Sequence, residues 1–260
     1  MGTPRVLILR APGTNCDRET AFAFEQAGGQ ADIVHINRLL KESKLPSAYQ
    51  ILCIPGGFSY GDDIAAGRIL ANQIRHHLHE TFESFKAHGK LILGICNGFQ
   101  VLIKSNVLLP ISPEGKAAAT LTWNDSGKFE DRWVQLASKG DKCVFLRGTT
   151  SLYLPIAHAE GKFVARDEET LSQLDANCQL ALRYTSCRSR DPEHVPYPDN
   201  PNGSLANVAG ICDSTGRIFG LMPHPERHIH PTNHPRWTRA ESTEQADGKI
   251  IFDNAIHYFS

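Results

Sequence analysis

The sequence predicts an α/β protein built on an open, mostly parallel sheet flanked by helices, of the flavodoxin-like kind, with a small antiparallel β extension. Three observations lead there. Short apolar runs at 6–9, 33–36, 51–54 and 91–95 have the length and character of strands buried on both faces. Stretches with helical spacing separate them. Segments rich in Gly and Pro follow three of the runs, as expected where a strand hands over to a loop.

In chain order, the first run is followed by Pro12-Gly13-Thr14-Asn15 and a predicted helix over 17–27. Asp17 and Thr20 mark the start of that helix, and Gly28-Gly29 its stop. The third run leads into Pro55-Gly56-Gly57-Phe58-Ser59-Tyr60-Gly61 and one long helical pattern over about 64–88. The fourth run ends in Gly94-Ile95-Cys96-Asn97-Gly98, and 99–104 is again helical. Strand, helix and strand in series imply parallel pairing with right-handed crossovers.

Beyond about residue 121 the apolar runs 133–136, 143–146, 152–156 and 163–165 come close together. They predict an antiparallel meander grafted on the core. Residues 186–204 hold four prolines and predict a long loop, and 228–247 a second irregular segment. A closing helix over 249–259 places Ile250, Ile251, Ala255 and Ile256 on or near one face. The whole of 1–260 is expected to form one domain with two loop-rich insertions.

The 260 residues carry 27 basic and 28 acidic side chains, a net charge of −1. That balance argues against nucleic acid as the main partner and excludes disordered and strongly acidic classes. Seven cysteines, odd in number and without a CxxC pair, fit neither a disulfide framework nor a zinc ribbon. No signal-like or membrane-spanning run occurs, so a cytoplasmic protein without a membrane partner is expected.

In an open parallel sheet, loops at the carboxyl ends of the strands gather on one edge, where ligands bind. Gly94-Ile95-Cys96-Asn97-Gly98, between a buried strand and a helix, has the form of a nucleophile elbow. The sharp turn crowds its central residue, and a thiol at a helix N-terminus is favoured as thiolate. The bland alternative is a small buried cysteine.

Pro223-His224-Pro225-Glu226 offers the acid/base partner. In extended chain, residues two apart point the same way, so Glu226 can receive the His224 ring N–H and fix its tautomer. Metal binding by His224, His228, His230 and His234 is the rival, although the spacing matches no HExxH pattern. A metal at His76, His77, His79 and Glu80 is outweighed by a solvated helix face. Gly56 and Gly57 suit an oxyanion hole whose second donor is the N–H of Asn97. The chain has neither GxGxxG nor a Walker A loop.

These motifs together resemble those of class I, triad-type glutamine amidotransferases, and more narrowly the glutaminase subunits of phosphoribosylformylglycinamidine synthase. The resemblance rests on Ala11–Asp17 (APGTNCD), Pro55–Asp62 (PGGFSYGD), Gly94–Gln100 (GICNGFQ), His158–Lys162 (HAEGK), Pro201–Ser204 (PNGS) and Gly220–Arg227 (GLMPHPER). It implies that Cys96, His224 and Glu226 are the catalytic triad, with Gly57 and Asn97 as main-chain oxyanion donors. Gln100, His158 and Glu160 become candidates for binding L-glutamine. It also implies no metal or cofactor on this chain. ATP, magnesium and formylglycinamide ribonucleotide would belong to a larger synthetase subunit, accompanied by a small accessory subunit. The six other cysteines are expected to be inert.

Two alternatives stand beside that reading. Another cysteine-nucleophile α/β hydrolase would order its triad nucleophile, acid, histidine, whereas Glu226 follows His224. A non-catalytic scaffold subunit would have no use for an intact Cys96, His224 and Glu226.

Overall fold

The computed structural model describes residues 2–139, 142–186, 194–239 and 246–260. In chain order the first elements are β1 (Arg5–Arg10), α1 (Asp17–Gln26), β2 (Gln30–His35), α2 (Ile36–Lys41) and β3 (Ile51–Ile54). Then follow α3 (Arg68–His77), α4 (His79–Ala87), β4 (Leu91–Ile95), α5 (Asn97–Lys104) and β5 (Ala119–Thr122). The second half contains β6 (Glu130–Ser138), β7 (Ser151–His158), β8 (Lys162–Ala165), α6 (Glu168–Ala176) and β9 (Leu182–Tyr184). It closes with β10 (Val208–Cys212), β11 (Ile218–Leu221) and α7 (Lys249–His257).

Among the described residues, a 9-stranded sheet runs in the order β2-β1-β3-β4-β11-β10-β9-β6-β7. The strands from β2 to β11 pair in parallel, the open sheet that the sequence predicts. β11 is not among the predicted runs, however, and the run at 33–36 is instead the end of a largely unburied edge strand, with Ile36 beginning α2. Every residue of β3 and β4 is buried, because helices cover both faces. From β11 onward, pairing with β10, β9, β6 and β7 is antiparallel. The antiparallel part is therefore the far half of the same sheet, apart from β5 and β8, which form a small sheet of their own.

Two local expectations need correction. The long helix over 64–88 is two helices, parted at Leu78 with φ −126°. Ile74, Leu78, Phe82 and Phe85 are all buried, so the apolar stripe continues through the break and conceals it. The run 143–146 is not a strand: Val144–Leu146 is one turn of 3₁₀ helix whose three side chains are buried. Parts of the 186–204 and 228–247 segments, with Cys187, lie outside the described residues.

The elbow is locked to the core by close backbone approach. A Cβ on Gly98 would overlap the Ile54 carbonyl, so only glycine lets α5 start so near the end of β3. β11 lies beside β4 in register, with Leu221 opposite Ile95, and this brings the chain after each strand to the same edge.

Candidate active site

Cys96 sits between β4 and α5 at φ 51°, ψ −105°, a sparsely populated conformation for a residue with a Cβ. The strain is held by hydrogen bonds on both sides. Its N–H donates to the Leu221 carbonyl at 2.8 Å, and its carbonyl accepts from Phe99 and Gln100 at 3.0 and 3.1 Å. The thiol is 5% exposed, with Sγ 3.6 Å from the Ala157 carbonyl.

His224 follows β11 by three residues and is also buried. Its N–H donates to the Pro155 carbonyl at 2.8 Å, and its Nδ1 lies 2.6 Å from Glu226 Oε1. The expected pair is thus formed, but for a different reason: Pro225–Arg227 is a 3₁₀ turn, which folds Glu226 back beneath the ring. Burial pushes the imidazole toward neutrality, yet the Glu226 carboxylate and then the Cys96 sulfur outweigh it. Together they hold the imidazolium well above its usual range. The bond to Glu226 takes Nδ1 and leaves His224 Nε2 available for proton transfer.

Glu226→Gln removes the carboxylate that does most to hold His224 protonated, so the His224 titration, followed by NMR of the ring nitrogens, should fall. Loss of the orienting carboxylate should lower any turnover in which His224 serves as acid and base by about 10⁴-fold. An unmoved His224 titration would contradict the assigned cause. The raised value also means that His224 contributes stability fully below its ordinary 6.5 and loses it as pH rises through the folded-state value.

Gly57 lies at φ +134°, and a Cβ there would fall 2.7 Å from the Asn15 nitrogen. Asn97 is the first residue of α5, where the helix offers its N–H no acceptor. The two loops are tied together, since Ser59 N–H donates to Asn97 Oδ1 at 3.3 Å. The arrangement places a glycine turn and a helix N-terminus beside Cys96, which suits a developing oxyanion.

Gln100, Glu160 and His158 lie near one another but are already engaged. Gln100 Nε2 donates to the Glu160 carbonyl at 2.6 Å, and its Oε1 accepts from Asn97 Nδ2 at 3.0 Å. The Glu160 carboxylate accepts from Ala66 N–H at 3.2 Å and lies 3.7 Å from Lys104 Nζ. These two side chains lash the 158–160 segment to α5 and to the start of α3, a positioning role. His158 Nδ1 pairs with Asn124 Oδ1 at 3.1 Å, while its Nε2 is buried without a partner.

Burial, with a smaller push from His224, lowers His158 to about 3. The unfolded chain therefore takes up this proton first. The contribution to stability is complete above 6.5 and lost at about 1.4 kcal/mol per pH unit as pH falls toward 3. Urea unfolding of His158→Gln across that window should show a shallower acid loss than the unsubstituted chain. Parallel pH profiles would contradict it.

Several site residues were not foreseen from sequence. The end of β7 forms a wall through its Pro155 and Ala157 carbonyls, which only the sheet topology reveals. Cys16 is the other: one of the six thiols expected to be inert, it packs against His224. The rival histidines do not join the site. His228 and His234 pack on Trp133 at ring distances of 5.0 Å, and His76, His77 and His79 are exposed.

A family model described as a CobB/CobQ-like glutamine amidotransferase domain matches residues 3–259. A phosphoribosylformylglycinamidine synthase subunit PurQ from Dehalococcoides mccartyi is 46% identical over 259 residues, spanning 99% of this chain and 98% of that protein. A PurQ subunit from Methanococcus maripaludis is 42% identical over 268 residues, covering 99% and 98%. Among solved structures, PurLQS from Thermotoga maritima contains a chain superposing with a TM-score of 0.74 at 31% identity, with 100% of both chains covered. The chain belongs to the CobB/CobQ-like glutamine amidotransferases and, within them, to the glutaminase subunits of phosphoribosylformylglycinamidine synthase.

Proposed function

We propose that the chain hydrolyses L-glutamine by a thioester route in which Cys96, His224 and Glu226 act as one unit. The carrying observation is the buried His224–Glu226 pair just beyond the strand that lies next to the Cys96 elbow. Cys96 Sγ attacks the γ-carboxamide carbon, and the tetrahedral oxyanion meets the N–H groups of Gly57 and Asn97. His224 protonates the leaving nitrogen, ammonia departs and a γ-glutamyl thioester remains. His224 then takes a proton from the water that hydrolyses the thioester to glutamate. Gln100 and Glu160 hold the wall of the glutamine site, and His158 offers an acceptor nitrogen within it.

Free ammonia in neutral water becomes mostly ammonium, which is no nucleophile, so the product must pass directly to a partner. The partner we assign is the synthetase subunit, carrying ATP and magnesium and converting formylglycinamide ribonucleotide to its amidine, with a small accessory subunit. The absence of a phosphate-binding loop motif on this chain supports that division. No helix among the described residues is long and apolar enough to cross a membrane.

Co-purification with the synthetase subunit, followed by glutamine turnover alone and in complex, tests the assignment. Low turnover in isolation and strong activation on assembly are expected. Equal turnover in both states, or no association, would overturn it.

A further inference from the structure

The motif Pro55–Asp62 ends on a carboxylate that the proposed glutaminase route leaves unused. Asp62 closes a strained turn. Tyr60, Gly61 and Asp62 lie at φ 57°, 72° and 53°, three successive residues in the left-handed region, two of them with a Cβ. Such backbone persists only where its surroundings hold it, and it gathers at functional sites. Tyr60 holds the outer side of the turn. It donates its N–H to the Pro12 carbonyl at 2.7 Å and its hydroxyl to Gln73 Oε1 on α3 at 2.8 Å.

The Asn97 side chain holds the inner side. Ser59 N–H can only donate, so Asn97 Oδ1 must be the atom that faces it, at 3.3 Å. Asn97 Nδ2 then points the other way and donates to Asp62 Oδ1 at 3.1 Å and to Gln100 Oε1 at 3.0 Å. Asp62 Oδ1 also accepts from Gly67 N–H at 3.2 Å, just before α3. One four-residue turn thus grips the Asn97 amide at both ends. Ser59 and Asn97 are buried, where a hydrogen bond is electrostatically stronger than in water. On the proposed route Asn97 carries one main-chain oxyanion donor, and Gly57, two residues before Ser59, carries the other.

We propose that Asp62 is a positioning residue for the oxyanion hole: by orienting the Asn97 amide, it fixes the spacing between the Gly57 loop and the start of α5. The proposal deepens the glutaminase reading and rests on it. A misplacement on the order of 1 Å in such a site costs about 100-fold in rate. The oxyanion forms only after the ground state, so the loss should fall on kcat and leave KM for glutamine in place.

Residue 62 has two duties, and they can be separated. Asparagine tolerates the left-handed backbone and keeps an Oδ1 that can accept both bonds, whereas glycine tolerates the backbone but offers no acceptor. In the complex with the synthetase subunit, Asp62→Gly should lower kcat for glutamine by about 100-fold, and Asp62→Asn should restore most of it. Asn97→Ala removes the other half of the clamp and keeps its main-chain N–H. It should show the same kcat-only loss, and the double variant should lose no more than either single one, since the two act as one unit. Should Asp62→Gly not fold, Asn97→Ala carries the test from the helix side. Alkylation of Cys96 by iodoacetamide builds no oxyanion. Its rate, read by peptide mass spectrometry, should therefore hold in Asp62→Gly.

An unchanged kcat in Asp62→Gly or Asn97→Ala would overturn the positioning role. So would an Asp62→Asn loss as large as that of Asp62→Gly, additive losses in the double variant, or alkylation slowed in step with turnover. An unsubstituted complex with neither glutamine turnover nor a Cys96 adduct would instead overturn the glutaminase reading, and the proposal with it.

Discussion

Cys96→Ala is expected to reduce glutamine-dependent amidine synthesis by the assembled complex by about 10⁴-fold or more, while synthesis from added ammonium salts continues. The asymmetry follows from where the substitution acts. On the proposed route the thiol forms the covalent bond to the glutamine carbonyl, and no neighbour can take its place. Alanine keeps the backbone carbonyl that anchors α5 through Phe99 and Gln100. On the proposed division of labour the partner subunit needs only ammonia, so bypassing this chain should restore the product. Kinetics with glutamine and with ammonium, measured on the same preparation, separate the two. Loss of both activities would mean that the residue supports the assembly rather than the chemistry.

The largest effect on stability is expected at Gly98. Its missing Cβ is the space into which the Ile54 carbonyl fits, and this is rigid backbone at the end of a fully buried strand. Neither side can yield cheaply. α5 is pinned by the Cys96 carbonyl, and Ile54 is held by pairing with Gly94. Gly98→Ala should cost about 3 kcal/mol or more, at the upper end of overpacking penalties, and should open the elbow even where the chain still folds. Chemical denaturation reports the first and cysteine labelling kinetics the second. A change within about 0.5 kcal/mol, the scale of neutral surface substitutions, would contradict the close contact.

β1, β3 and β4 were readable because they are short, apolar and buried, and each is followed by a distinctive loop. By contrast, β2 is a largely unburied edge strand that runs straight into α2, and β11 is not among the predicted runs. The antiparallel half was read only as strands arriving close together. That β10 and β9 join β11 to β6 depends on pairing between segments far apart in sequence, which no local pattern encodes. The short run at 143–146 shows the same limit on a small scale, since a buried 3₁₀ turn and a buried strand have the same apolar composition.

At the active site, the elbow and the His224–Glu226 pair were legible from spacing, although a 3₁₀ turn rather than extended chain produces the second. Cys16 was not, because only folding brings β1's loop against residues more than two hundred positions later. Arg227 joins it there, donating to Cys16 Sγ and, at 3.0 Å, to Glu19 Oε1.

The central claim is that Cys96 is a nucleophile and that His224 and Glu226 make it one. Labelling with an electrophilic glutamine analogue, read by peptide mass spectrometry, tests it most directly. A single adduct on the Cys96 peptide is expected, formed more slowly in Glu226→Gln and absent in Cys96→Ala, with Cys16 unlabelled. An adduct on Cys16 or another thiol, or none even with the synthetase subunit present, would contradict it.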